Sequence, residues 1–340
     1  MRISLLCLSL IFFFTICNAQ NAKDQFSVLF YNTENFFDTR NDSLTADDEF
    51  TPEGERHWTT KRFDAKVLNL SKVILNADGW GMPDLIGLCE VENKYVLEKL
   101  ITDSPLKTTP YKIIHKESPD PRGIDVALLY NSEAFYPLDY DYYPMINENG
   151  SIRRSREILH VFGIVNGGDS LHVFVNHWPS RYSGLLETRP ARQQAALLLL
   201  SKYNEILEKD RDANVIIVGD FNDQPNDESI SKYMGAADPS GSQNASLYNL
   251  SLPWMKQEEG TLKYQGQWFV FDQIMVSPGL LDKSVGLQTN PEKATVCKLP
   301  FLFEADEKNG GRKLFRTYTG YRYNGGFSDH LPVMVELQEN

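Results

Sequence analysis

The chain is short of cysteine, short of positive charge, and has only one long apolar run. Of its four cysteines, Cys7 and Cys17 lie in the first twenty residues, leaving Cys89 and Cys297, so no disulfide framework holds the rest together. Lys and Arg number 34 against 46 Asp and Glu, a formal net charge of −12, which argues against a protein that clings to nucleic acid through bulk electrostatics. That balance still allows a phosphate-cutting enzyme, which needs only local positive charge from a divalent cation and a few arginines. The apolar run Ile3–Ile16 is shorter than the roughly 20 residues that span a bilayer, and nothing later resembles one. No linker-like Pro/Ser/Gly tract, short-period repeat or low-complexity segment interrupts the remainder.

What is present begins with an export layout. Arg2, the run Ile3–Ile16 and Cys17-Asn18-Ala19 read as a cleavable signal over residues 1–19, so the mature protein is expected to be periplasmic or secreted, with a lipoprotein tether through Cys17 as an alternative. Residues 20–340 read as one catalytic domain, since 41% hydrophobic and 12% aromatic residues suffice for one large core. No stable protein partner is implied.

Apolar periodicity predicts strands at Phe26–Tyr31, Leu85–Val91, Tyr111–His115, Ile124–Tyr130, Ile158–Val165, Leu171–Asn176, Val215–Asp220, Phe269–Val276 and Leu331–Leu337. Helical spacing of Phe63, Val67, Leu70, Val73 and Ile74 predicts a helix from Lys61 to about Ala77 with Thr60 as its N-cap, and a second helix runs from Pro190 to Glu208. Asp38–Glu55 reads as an exposed acidic loop, and Leu280–Tyr323 as an excursion beside the last strand. Hairpin-like strands mixed with helical crossovers imply an α/β layered sandwich of mixed sheets rather than a doubly wound parallel sheet.

The chemistry collects where apolar runs stop. Glu90 ends a strand that should be buried on both faces, and a carboxylate there is costly unless compensated. A divalent metal would compensate it, and Mg²⁺ accepts one or two carboxylates plus an amide, with waters and substrate phosphate completing its shell. Glu90, Asp329, Asn32 and Glu34 form that candidate set; a carboxylate capping the helix near Asn93 is the plainer alternative for Glu90. Asp272 sits inside the apolar stretch Trp268–Val276 and wants a partner, which His330 could be, as an imidazole oriented for acid–base work or charge stabilisation. Gly219-Asp220-Phe221-Asn222 follows a buried strand, with Gly219 expected to let the chain approach a ligand, Asp220 to handle a water and Asn222 to donate to a phosphoryl oxygen. His177 ends another strand, and Arg156, Arg181 and Arg189 are candidate phosphate forks. Trp58, Trp178, Trp254 and Trp268 are better read as packing than as base-stacking platforms.

In order, Asn32, Glu90, His177, Asp220 with Asn222, Asp272, and Asp329 with His330 resemble the motifs of the endonuclease/exonuclease/phosphatase superfamily, the deoxyribonuclease I-like group, from Phe26 onward. The resemblance implies a four-layered α/β sandwich with two mixed β-sheets flanked by helices, and a site at one edge between the sheets. It implies Mg²⁺ or Mn²⁺ held chiefly by Glu90 with Asn32 and Asp329, and Glu34 where some members carry a further acidic ligand. It also implies Asp220 as the water-activating group, Asn222 and His177 as phosphate contacts, and Asp272 as the residue orienting His330; which of Asp220 and His330 takes the proton stays open. The wording Asn176–Arg181, together with Phe50-Thr51-Pro52-Glu53-Gly54 and His57-Trp58, is similar to exported bacterial members of unassigned substrate. The expected function is metal-dependent phosphodiester hydrolysis, foremost as an endonuclease on DNA or RNA. A phosphatase or lipid phosphodiesterase of inositol phosphate or sphingomyelin type is the first rival, and an inactive binding module the second.

Overall fold

The computed structural model describes residues 25–79, 81–147, 149–241, 244–281 and 286–339; the export signal expected over residues 1–19 lies outside them. One sheet contains β1 (Gln25–Phe36), β2 (Leu85–Val91), β3 (Tyr111–His115) and β4 (Asp125–Asn131). The other contains β5 (Phe135–Tyr143), β6 (Ile158–Val165), β7 (Ser170–His177), β8 (Val215–Asp220) and β9 (Tyr248–Asn249). A short hairpin, β10 (Leu262–Tyr264) and β11 (Gln267–Phe269), precedes β12 (Asp272–Val276) of the second sheet. After it β13 (Leu287–Gln288) and β14 (Ala294–Val296) join the first sheet, β15 (Phe303–Ala305) pairs with β16 (Arg312–Leu314) and β17 (Tyr318–Thr319) with β18 (Arg322–Tyr323), and β19 (Val333–Glu339) closes the chain.

Strand order is β13-β19-β1-β2-β4-β3, with β14 also on β19, in one sheet and β5-β6-β7-β8-β12-β9 in the other. The parallel pairs are β1/β2 and β7/β8, and the neighbours β19/β1, β2/β4, β6/β7 and β8/β12 are antiparallel. Parallel neighbours need a crossover, supplied by α1 (Thr60–Ala77) for β1/β2 and α3 (Leu185–Lys209) for β7/β8. The two halves thus repeat one plan, a parallel pair flanked by antiparallel strands, although their sequences carry no short repeat.

Strand alternation gives each sheet two apolar faces. Val28, Phe30, Cys89, Val126 and Val335 of the first sheet pack against Val161, Val173, Val175, Val218 and Ile274 of the second. Leu29, Tyr31, Ile86, Leu88 and Leu129 turn outward to Phe63, Val67, Leu70 and Ile74 of α1 and Leu97 of α2 (Lys94–Thr102). Phe174, Val215, Ile217 and Met275 meet Ala195, Ala196, Leu199 and Tyr203 of α3. Helix, sheet, sheet, helix is the four-layered sandwich expected.

Several boundaries differ from the periodicity reading. Helix α1 starts at Thr60 itself, preceded by extended Thr59, and α3 starts at Leu185 rather than Pro190. Phe269 ends β11, and the chain re-enters a sheet only at Asp272. Helix α2 follows Asn93, where the alternative reading of Glu90 places a helix, and Asn93 caps it by accepting from Val96 N at 3.2 Å; strand β5 is not predicted, since it is largely exposed and its apolar signal is weak. The loop after β1 is not simply exposed, because Asp38, Asp47 and Phe50 are buried. Trp58, Trp178 and Trp254 are buried in packing, and no described helix is long and apolar enough to cross a membrane.

Candidate active site

The second sheet sets three groups side by side. Parallel register pairs His177 with Asp220, and antiparallel register pairs Asp220 with Asp272, so neighbouring strand ends present imidazole, carboxylate and carboxylate in a row. Gly219 makes the first pairing possible, since a Cβ there would lie 2.5 Å from Asn176 Cβ. The close approach expected of Gly219 is therefore to β7, not to a ligand.

The first sheet answers with broken strand ends. Register slips between Asn32 and Phe36 and between Cys89 and Val91, and Glu34, Asn35 and Glu90 carry φ of 53°, 56° and 58°. Left-handed backbone at non-glycine residues is costly and gathers at functional sites, and bulges there re-aim side chains. Asn222, with φ of 52°, is the equivalent in the second sheet. The effect is to turn Glu90 toward its neighbours: Asn35 N donates to its Oε2 at 2.9 Å, and Oε1 lies 3.8 Å from His177 Nε2. Glu90 caps no helix.

Asn32 ties the sheets together. Its Nδ2 donates to Asp220 Oδ2 at 3.1 Å and, more weakly, to Glu90 Oε1 at 3.4 Å, while its Oδ1 accepts from Glu34 N at 3.0 Å. The Glu34 N–H sets the amide's orientation, so the oxygen faces away from Glu90 and Asp220 while the amide nitrogen links those two carboxylates. Glu34 is likewise engaged within the protein. Its Oε1 accepts from Arg316 Nε at 2.7 Å and its Oε2 from Thr317 N at 2.8 Å, so both oxygens are occupied. Arg316 also reaches Asp329 Oδ2 at 2.8 Å.

His330 is set from below. Its Nδ1 is 2.7 Å from Asp272 Oδ2, and its Nε2 is 3.8 Å from Asp220 Oδ2 and 4.0 Å from Asp329 Oδ1. Asp272 is fully buried, and Thr261 Oγ1 accepts from its backbone N–H at 3.1 Å. Ser328 Oγ donates to Asn32 O at 2.7 Å and accepts from His330 N at 3.1 Å, fixing the final segment onto β1.

Burial and neighbours push the titrations apart. Asp220 is raised to about 6 by burial, partly opposed by His330. Burial works to lower His330, but Asp272 and Asp220 outweigh it and hold the imidazolium well above the usual range. His177 is driven well below its usual value by burial and by Arg156 and Arg122, so it is neutral. Glu90 is raised by burial and by Asp329, whereas in Asp329 the burial cost is outweighed by Arg316 and His330 and the carboxyl is lowered. Like charges on Glu90 and Asp329 across one cleft form an arrangement that a divalent cation relieves. Asp220, Asp272 and His330 also present ligand atoms within 4.8 Å of one another. There the Asp272–His330 contact is already a direct hydrogen bond that a metal would have to break, so the acidic cleft of Glu90 and Asp329 fits a cation better.

The arginines are redistributed. Arg156 is buried behind His177, donating to Asp120 Oδ2 at 2.8 Å and Trp178 O at 2.6 Å. Asn222 Nδ2 also donates to Trp178 O, at 3.0 Å, and Asn222 N to Asp220 Oδ1 at 2.9 Å. Arg181 is drawn to Asn222 O and Asp223, both at 2.6 Å, and Arg189 lies 3.9 Å from Glu228, because the acidic turn Asp223–Glu228 attracts both. The structure brings neither to the cluster. The sequence reading missed Arg316, Arg122, whose half-exposed side chain acts on Glu90 and His177, and buried Lys66. Arg122 has no apolar flank, whereas Arg316 directly follows Leu314-Phe315 and Lys66 lies on the buried stripe of α1 one residue before Val67, so both could have been queried.

Two mixed sheets that bring an Asp–His pair, the carboxylates Glu90, Asp220 and Asp329 and a neutral histidine to one shared edge define a layered α/β sandwich with an acid–imidazole site. The Endonuclease/Exonuclease/phosphatase family model matches residues 27–339, and the chain belongs to that family, whose members hydrolyse phosphoester bonds. No curated protein matches the sequence. Among solved structures it is similar to a humanized D. rerio TDP2 (16% identity, TM-score 0.55, covering 93% of this chain and 99% of that one). It is also similar to a mannosyl-6-phosphatase of Bacteroides thetaiotaomicron VPI-5482 (18%, 0.56, 92% and 99%) and to the human Nocturnin catalytic domain (15%, 0.52, 93% and 95%). At such identities these likenesses establish the fold.

Proposed function

We propose that this protein is an exported, Mg²⁺- or Mn²⁺-dependent phosphodiester hydrolase that acts as an endonuclease on DNA or RNA. The observation that carries the reading is the convergence of Glu90, Asp220 and His177 with the Asp272-paired His330 at one edge of the two sheets. Glu90 and Asp329 would hold the cation, which when bound supplies charge to a non-bridging phosphoryl oxygen. Asp220, deprotonated near neutrality, accepts the proton of the attacking water. His330, protonated and aimed by Asp272, and neutral His177 stabilise charge that develops on the phosphoryl oxygens. Water adds to phosphorus, the P–O bond to the leaving group breaks, and His330 can return a proton to the departing oxygen. Asn32 holds Asp220 in place, and Asn222 holds the Trp178 carbonyl and the Asp220 carboxylate.

A phosphatase is the second reading, favoured by the net charge of −12, which suits a small phosphoester better than a long polyanion. The test is turnover of plasmid DNA, RNA, bis-p-nitrophenyl phosphate and p-nitrophenyl phosphate with Mg²⁺, Mn²⁺ or EDTA, beside Glu90→Ala. Metal-dependent nicking lost in the variant supports the endonuclease; hydrolysis of p-nitrophenyl phosphate alone moves the assignment to a phosphatase; turnover that survives Glu90→Ala sinks both.

A further inference from the structure

Three carboxylates reach one cleft from separate parts of the chain: Glu34 from the irregular end of β1, Glu90 from the end of β2 and Asp329 from the segment before β19. The side chains that answer them differ in kind. The hydrogen bonds to Glu90 come from neutral donors, Asn35 N at 2.9 Å and Asn32 Nδ2 at 3.4 Å. Lys66 Nζ is engaged by Thr317 Oγ1 and Phe327 O. Arg316 alone bridges two of the three. Its Nη2 lies 2.7 Å from Glu34 Oε1 and 2.8 Å from Asp329 Oδ2, so a single nitrogen is seated between oxygens of two carboxylates.

Packing does not explain that seat. The Arg316 side chain is 42% exposed while that of Glu34 is 4% exposed, and the other Glu34 oxygen accepts from Thr317 N at 2.8 Å. A buried carboxylate with no cation beside it is costly, and one guanidinium that bridges two carboxylates relieves both. It does so with a single, covalently fixed charge. The place that Nη2 holds, within 2.8 Å of two carboxylate oxygens, is also what a divalent ion with oxygen ligands requires. Guanidinium and metal ion therefore compete for one position.

We propose that Arg316 takes the place of a second divalent ion, so that the protein binds one such ion, between Glu90 and the remaining oxygen of Asp329, and Glu34 is held out of the metal shell. The inference rests on the metal-dependent phosphoesterase reading and adds the number of ions and the residue that sets it.

The experiment counts bound Mn²⁺ by equilibrium dialysis and examines it by electron paramagnetic resonance, readouts that need no substrate. Wild-type protein should hold one ion per chain, with the spectrum of an isolated centre. Arg316→Met, which keeps the length and removes the charge, should hold two ions with the spin coupling of close neighbours, and Arg316→Lys should return to one. Adding Glu34→Gln to Arg316→Met should remove the second ion. Two ions in the wild type, or one in folded Arg316→Met, overturn the proposal. Should Arg316→Met fail to fold, Glu34→Gln alone decides: one ion held within about twofold of the wild-type affinity supports Arg316 as the occupant, and a greater loss overturns it. Wild-type protein that binds no Mn²⁺ overturns this inference and the metal-dependent reading together, whereas a single ion that Arg316→Met leaves single overturns the inference alone.

Discussion

Asp272 Oδ2 lies 2.7 Å from His330 Nδ1 across 58 residues of sequence, and the pair is buried beneath the acidic cluster. Since Asp272 cannot be solvated there, its charge is expressed through the imidazole, which it both orients and keeps protonated. Asp272→Asn should lower kcat by about 10²-fold with little change in KM, because it spoils a group needed in the transition state. A pH–rate profile distinguishes this from a packing defect: the alkaline limb, set by His330, should move to lower pH in the variant.

The acid limb belongs to Asp220. With its carboxyl raised to about 6, kcat/KM should rise as pH increases through about 6 and then plateau, since the carboxylate is the competent base. A profile that stays flat from pH 5 to 7 would remove Asp220 from that role.

Glu90→Gln keeps the shape of the cleft but removes half of the charge that Glu90 and Asp329 present. Calorimetry with Mn²⁺ should show metal affinity lost or weakened at least tenfold, with turnover reduced by about 10²-fold or more. Binding as tight as wild type would move the metal elsewhere.

Lys66 is a buried cation whose Nζ donates to Thr317 Oγ1 at 2.7 Å and to Phe327 O at 2.5 Å, clasping both ends of the segment that carries Arg316 and leads into Asp329. Lys66→Met should destabilise by about 1–3 kcal/mol through loss of its two charge-assisted hydrogen bonds, leaving Thr317 Oγ1 and Phe327 O with only their mutual bond at 3.2 Å. It should also reduce activity although Lys66 touches no substrate. Denaturant unfolding checks the first and kcat the second.

His160 and His172 on the second sheet, with ring nitrogens 3.0 Å apart, are neutral in the fold, lowered mainly by burial to about 3 and about 4. An unfolded histidine titrates near 6.5, so the unfolded chain takes up protons that the folded one refuses. Their contribution to stability is present above about pH 6.5 and is lost as pH falls toward 4. Tm should drop over that window, less steeply in His160→Gln/His172→Gln protein.

The legible part of the molecule was what local pattern controls. Strands Tyr111–His115, Ile158–Val165 and Val215–Asp220 lie where apolar patterns predict them: the last is buried throughout and reads as a continuous apolar run, and the second alternates buried with half-buried positions. Strand β5 escaped because its exposed face carries Tyr and Asp, and the α1 start slipped by one residue because Thr59 and Thr60 offer the same side chain. In the site, Asn32, Glu90, His177, Asp220 and His330 were named from the edges of apolar runs and Asp272 as a carboxylate inside one, and they converge. Arg181, Arg189, Asn32 and Glu34 show the limit. Residue type told that they could fork a phosphate or ligate a metal, but not which neighbour would claim them first.

By itself the sequence determined the layers, the family and the residue types of the cluster, since apolar periodicity and strand-end polarity are local properties of the chain. Only the tertiary structure decided how the charges were spent. Arg316 comes 282 residues from Glu34 to occupy it, Asp223 takes Arg181, and the Glu34 amide turns the Asn32 oxygen away from the cleft. Buried ions and amides select partners by distance in a low-dielectric space, where the best geometry wins, and that distance exists only once the two sheets have met.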